Sequence, residues 1–106
     1  MTCTINGKKW AINTLIAESE NLKPFKIKVS TIDKSGYPWS KDITLHNLCY
    51  HMSRINACSL EFPIILSETG AIMDGYHRIC KAVLLKEEFI TAVQFDHDPD
   101  HIPSIV

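Results

Sequence analysis

Two short segments of this 106-residue chain hold the residue types best suited to chemistry on a phosphate: His51-x-x-Arg54 and Asp74-Gly75-Tyr76-His77-Arg78. Arginine presents a rigid fork of donors that matches phosphate or carboxylate oxygens, and a neighbouring histidine adds a titratable ring. Arg54 and Arg78 are the chain's two arginines, and each has such a histidine. The apolar spacing after Gly75 predicts that this glycine opens a helix, whose N-terminus carries unpaired N–H groups and a partial positive charge. Gly75 would then let a ligand come close to the backbone, with Tyr76, His77 and Arg78 on the first turn. Asp74 has two readings: it caps the helix by accepting from the backbone, or its hard carboxylate oxygens hold magnesium beside a phosphate. His51 and Arg54, three residues apart, lie on neighbouring helical positions and form either a second cationic wall or a solvated flank.

These residues need a scaffold, and the pattern along the chain supplies one. Residues 10–20 suggest a short helix through Trp10, Leu15 and Ile16, and Phe25 to Ile32 alternates apolar with polar as a half-buried strand does, its lysines facing water. Residues 33–43 form a loop by composition, and Tyr37 and Trp39 in it could stack on a base or plug the edge of the core. Thr44 is a good N-cap for a helix that places Leu45, Leu48, Cys49, Met52 and Ile55 on one stripe. Pro63 to Leu66 reads as a buried strand, Gly70 as a turn, and Ala71 to Met73 as the hairpin partner. A helix from about Tyr76 to Lys86 buries Ile79, Cys80, Val83 and Leu84, and Phe89 to Phe95 forms a last strand. Asp96 to His101 reads as an acidic, mobile tail. The order predicts an α+β (mixed α/β) domain, a small mixed sheet flanked by helices.

Size and charge narrow the function classes. At 106 residues with 45% hydrophobic content, one core forms without help from metal or disulfides. The net charge of −1 gives no global basic field for nucleic-acid binding, although residues 1–41 carry seven lysines against three acidic groups. DNA binding is therefore not supported by charge. Cys3, Cys49, Cys58 and Cys80 show no C-x-x-C spacing and are read as reduced thiols, with Cys49 and Cys80 on apolar helix faces. No apolar run approaches the roughly 20 residues that span a bilayer, and no charged stretch followed by an apolar one opens the chain. The expected compartment is the cytoplasm, without a membrane.

The segment Pro63 to Ala82 resembles the superfamily of ParB N-terminal domains and sulfiredoxins. The resemblance rests on the Pro63-Ile64-Ile65-Leu66 strand, turn Gly70, Ile72-Met73, Asp74-Gly75-Tyr76-His77-Arg78 and the following Lys81-Ala82. Thr44 to Ile55 and Tyr37-Pro38-Trp39 also resemble small stand-alone bacterial members, so that the likeness covers about residues 25–96. It divides residues 1–106 into an N-terminal extension (1–24), the core (25–96) and an acidic tail (97–106).

The resemblance implies a nucleotide or phosphate pocket at the start of the helix opened by Gly75, with His77 and Arg78 on the phosphates. Sulfiredoxins place their catalytic cysteine immediately before the His-Arg pair, where this chain has Tyr76. The partition proteins, which bind CTP, carry a Glu-Arg-Arg type patch and a helix-turn-helix domain, and these 106 residues contain neither. Free serine kinases of this fold match Asp74, His77 and Arg78 best and use a separate glutamate as base; Glu18, Glu20 and Asp33 are candidates here. The expectation is a domain binding Mg2+ with ATP or another nucleotide, with Asp74 on the metal, and transferring phosphate to a small molecule. The alternative is a non-catalytic regulatory or interaction module of a ParB-like system, acting through a protein partner, a homodimer or DNA.

Overall fold

The computed structural model describes residues 1–35 and 43–103. Asn6 and Gly7 both have positive φ (51° and 78°), the conformation that a two-residue hairpin loop requires, and they turn strand β1 (Thr2–Ile5) back into β2 (Lys8–Ala11). Helix α1 (Ile12–Ser19) follows directly, so the predicted helix over residues 10–20 is corrected: Trp10 lies in β2, paired opposite Cys3. Strand β3 (Phe25–Lys28) keeps its lysines in water but ends four residues before Ile32. A single 3-10 turn (Val29–Thr31) takes over, because Val29 and Ile32, three apart, both drop into the core while the Val29 amide donates to Glu88 at 2.9 Å. The aromatic loop with Tyr37 and Trp39 lies outside the described residues.

Helix α2 (Leu45–Ala57) begins as its cap predicts, with the Thr44 hydroxyl accepting from the Asn47 amide at 3.1 Å. Its stripe is corrected. Ile55 is buried, but Leu45, Leu48, Cys49 and Met52 are exposed; among the described elements α2 packs chiefly against one neighbour, helix α3 (Tyr76–Leu84). Between the two helices, β4 (Ile64–Leu66) and β5 (Ile72–Asp74) form the expected antiparallel hairpin. In α3, Ile79 and Ala82 face the sheet, whereas Val83 and Leu84 are exposed and Cys80 is half-buried. Strand β6 (Phe89–Gln94) completes a four-stranded mixed sheet, β3-β6-β4-β5, with β4 and β6 parallel.

β4 is apolar throughout because both sides of the sheet are covered. Ile64 and Leu66 join Val29, Ile32, Ile79, Ala82, Ile90 and Ala92 on the α3 side. Ile65 joins Cys3, Trp10, Leu15, Met73, Val93 and Phe95 on the other. Residues 1–24 are therefore not an appendage: β1, β2 and α1 form the second covering layer, and the fold is α+β. The acidic tail is docked on the same layer. Trp10 Nε1 donates to the Pro99 carbonyl at 2.8 Å, the Ile102 amide to Lys9 at 2.7 Å, and the Glu68 amide to Asp98 Oδ1 at 2.8 Å. Among the described residues the cysteines form no disulfide, and no helix is long and apolar enough to cross a membrane.

One glycine has no substitute. Gly75 has φ 108°, and a Cβ there would lie 2.5 Å from Ile64 Cγ2 and 3.1 Å from its Cα. Both the backbone conformation and the contact exclude a side chain. Gly75→Ala is expected to cost about 2–5 kcal/mol in urea unfolding; an unchanged midpoint would show that the strand can retreat from the helix start.

Candidate functional site

The β5–α3 junction places the residues singled out by sequence. Asp74 ends β5, Gly75 makes the left-handed turn, and Tyr76, His77 and Arg78 form the first turn of α3. Asp74 does not cap that helix. The N-cap position belongs to Gly75 and has no side-chain bond, while the Asp74 carboxylate accepts from Arg78 NH2 at 3.3 Å, one helical turn away. The same guanidinium nitrogen donates to the Pro63 carbonyl at 3.3 Å, and Arg78 Nε is buried without a hydrogen-bond partner. Arg78 thus ties the hairpin to the helix. Gly75 is glycine because Ile64 sits against it, a sufficient reason without a ligand.

α2 brings the second wall, and its two predicted residues separate. His51 turns to α3, its Nδ1 2.8 Å from His77 Nε2. Arg54 is exposed, donates to the Tyr50 hydroxyl at 2.9 Å and lies over that ring. Burial, with the nearby Arg54 guanidinium and the His51 ring, pushes the His77 imidazole below its usual range. A cavity of about 270 Å3 collects Arg54, Asp74, Gly75, His77 and Arg78, together with Met1 and Cys58. That volume is below the roughly 300–1,000 Å3 of sites that enclose a whole drug-sized ligand.

Asp74 and Arg78 also line a second cavity, about 320 Å3, on the α1 side, with Glu20, Pro63 and Ile65. Of the three candidate bases, Glu20 is the one that shares a cavity with this pair. Asp33 lies with Tyr76 on another face of α3, in an apolar cavity of about 430 Å3 that also takes in Ile72, Ile79 and Cys80. Its carboxyl is held below the usual range by hydrogen bonds from Ser35. That cavity had no signal in the sequence, because it depends on β1 and the β4–β5 turn meeting α3. Lys81 was also missed: its ammonium donates to the carbonyls of Asn56 at 2.9 Å and Cys58 at 2.6 Å, at the end of α2.

For magnesium, among the described residues Asp74 is the one carboxylate in the 270 Å3 cavity, and no group of three or more ligating side chains could hold a metal ion. Mg2+ commonly arrives with several waters and substrate phosphates, using one or two carboxylates. Asp74 fits that limited part once its oxygen is released from Arg78. No protein-family model matches the chain, and no curated protein or solved structure matches it.

The Asp74–Arg78 pair makes a stability prediction. Arg78→Met leaves a partly buried carboxylate and the Pro63 carbonyl without their donor, and is expected to cost about 1–3 kcal/mol in urea unfolding. Arg78→Lys should recover only part of this, since the NH2 nitrogen that serves both acceptors sits at the far end of the guanidinium, beyond the reach of the shorter lysine ammonium. Equal stability of all three proteins would remove the structural role.

Proposed function

We propose that this chain is a phosphate- and nucleotide-binding domain of the ParB and sulfiredoxin type, acting in the cytoplasm. The observation that supports the reading is the cavity of about 270 Å3 in which Arg54, His77 and Arg78 from two helices meet the start of α3. Cationic donors and helix N–H groups facing one small cavity suit a phosphate group. Arg54 is the contact free to give affinity, because Arg78 already serves Asp74 and Pro63.

The reading extends to Mg2+-dependent phosphoryl transfer. With the phosphates on the Arg54 side, an acceptor hydroxyl would occupy the cavity that Glu20 shares with Asp74 and Arg78. The hydroxyl oxygen bonds to the terminal phosphorus, the bond to the bridging oxygen breaks, ADP departs from ATP, and Glu20 accepts the proton. Bound magnesium would supply charge neutralisation on the phosphates, with Asp74 as its protein ligand. The second reading, a non-catalytic module that binds a partner protein, draws on the exposed Leu45, Leu48 and Met52 of α2.

A thermal-shift panel of ATP, ADP, CTP, GTP and inorganic phosphate, with and without magnesium, tests the binding claim. A ligand at a hundred times its dissociation constant adds about 2.7 kcal/mol of stability. The expected result is a rise with wild type that Arg54→Ala abolishes while its unliganded melting temperature is unchanged. Absence of any shift overturns the reading and favours the partner-binding module. For the enzyme claim, Glu20→Gln is expected to keep nucleotide binding and to lose at least about a hundredfold in turnover with a hydroxyl acceptor; tight binding by wild type without turnover leaves a binding domain only.

A further inference from the structure

Two large apolar side chains stay in solvent at the mouth of one cavity. Phe62, in the loop before β4, is 64% exposed and Ile16 of α1 is 45% exposed, and both line the cavity of about 320 Å3 on the α1 side of the Asp74–Arg78 pair. Ile65 of β4 and Val93 of β6, both buried, form its floor. Pro24 and Pro63 add to the wall. Proline brings no amide N–H, and the Pro63 carbonyl already accepts from Arg78. The Ser19 hydroxyl is likewise in use, donating to the Ile16 carbonyl at 2.9 Å. Such a lining favours an apolar ligand body and penalises one that must keep several hydroxyls hydrogen-bonded.

Among the described residues that line it, the charged groups are two carboxylates against one guanidinium: Glu20, Asp74 and Arg78. Arg78 NH2 is committed to Asp74 and the Pro63 carbonyl, which leaves the Glu20 carboxylate as the excess charge. Lys23 stands between the lining residues Leu22 and Pro24 but lines another cavity, with Glu68 and Asp96. A ligand carboxylate or phosphate entering the α1-side cavity would meet a like charge in a partly desolvated space. A hydroxyl would find in Glu20 an acceptor for its hydrogen bond. The volume is near the lower end of the roughly 300–1,000 Å3 range of ligand sites, room for one ring or a short branched chain and not for a nucleotide.

We propose that this cavity takes a small alcohol with an apolar body and no anionic group, its hydroxyl directed to Glu20. As a binding site it stands on the cavity's own lining; that the bound alcohol is the phosphate acceptor rests on the phosphoryl-transfer reading. The class leaves out alcohols that already carry a phosphate or a carboxylate, free serine among them, and it leaves out polyols such as glycerol.

Methyl NMR titrations of the full chain with benzyl alcohol, benzoate and glycerol, without nucleotide, test this. Benzyl alcohol is expected to shift the Ile65 and Val93 methyl signals saturably, with benzoate and glycerol binding at least about tenfold more weakly. Phe62→Ala, which removes an exposed ring and leaves the core intact, should weaken benzyl alcohol about tenfold. Glu20→Gln should narrow the gap between benzoate and benzyl alcohol. The proposal is overturned by no shift with benzyl alcohol, by benzoate or glycerol binding as tightly, by shifts at Ile72 and Ile79 of the cavity beside Tyr76 in place of Ile65 and Val93, or by variants that leave these preferences unchanged. Turnover separates this from the phosphate reading. Benzyl alcohol that binds as expected and is not phosphorylated with ATP and magnesium keeps the site and removes the transfer; nucleotide binding without any binding of benzyl alcohol removes the site and keeps the nucleotide reading.

Discussion

The approach of the Gly75 backbone to Ile64 governs the placement of Asp74, His77 and Arg78 at the candidate site. Ile64 is fully buried in the central strand, and a Cβ on residue 75 would lie 2.5 Å from its side chain. With no side chain between them, the end of β5 and the start of α3 sit directly on β4. Asp74 and Arg78, four residues apart, then meet across the turn, and Arg78 reaches the Pro63 carbonyl at the entrance to β4. A bulkier residue would push the first turn of α3, and with it His77 and Arg78, off β4. The same glycine that a phosphate site would use is thus demanded first by packing.

What the sequence made legible follows from how local each signal is. The Ile64-Ile65-Leu66 run, the Thr44 cap and the spacing after Gly75 depend on neighbours within one turn or one strand, and β4, α2 and α3 begin where those signals lie. Asn6-Gly7 was an equally local hairpin signal and Thr2–Ile5 alternates polar with apolar, but both strands are only four residues long and Lys8-Lys9-Trp10-Ala11 does not alternate. Exposure was less legible. Periodicity tells which residues of α2 share a face; it does not tell whether anything lies against that face, and Leu45, Leu48 and Met52 lie in solvent. Glu20 could be named as a candidate but not placed, since its position depends on how α1 packs on the sheet.

The two halves of the molecule are held by different forces. The sheet and its covering layers gain from burial on both faces of β4, a contribution nearly indifferent to pH. α2, by contrast, buries only Ile55 of its own residues, and its polar ties to α3 among the described residues include the His51–His77 contact and the bonds from Lys81. Hydrogen bonds contribute modestly when made and cost more when a buried partner is left alone.

That division bears on where ligand affinity can come from. Arg78 is committed to Asp74 and Pro63, so using it for a phosphate would exchange one set of charge-assisted bonds for another with little net gain. Arg54 carries no such commitment to the core; among the described residues it bonds the exposed Tyr50 on its own helix. An anion in the cavity would therefore draw its differential stabilisation from α2 and, by spanning α2 and α3, would hold the helix down. Any such binding and the docking of α2 would then favour each other by the same free energy.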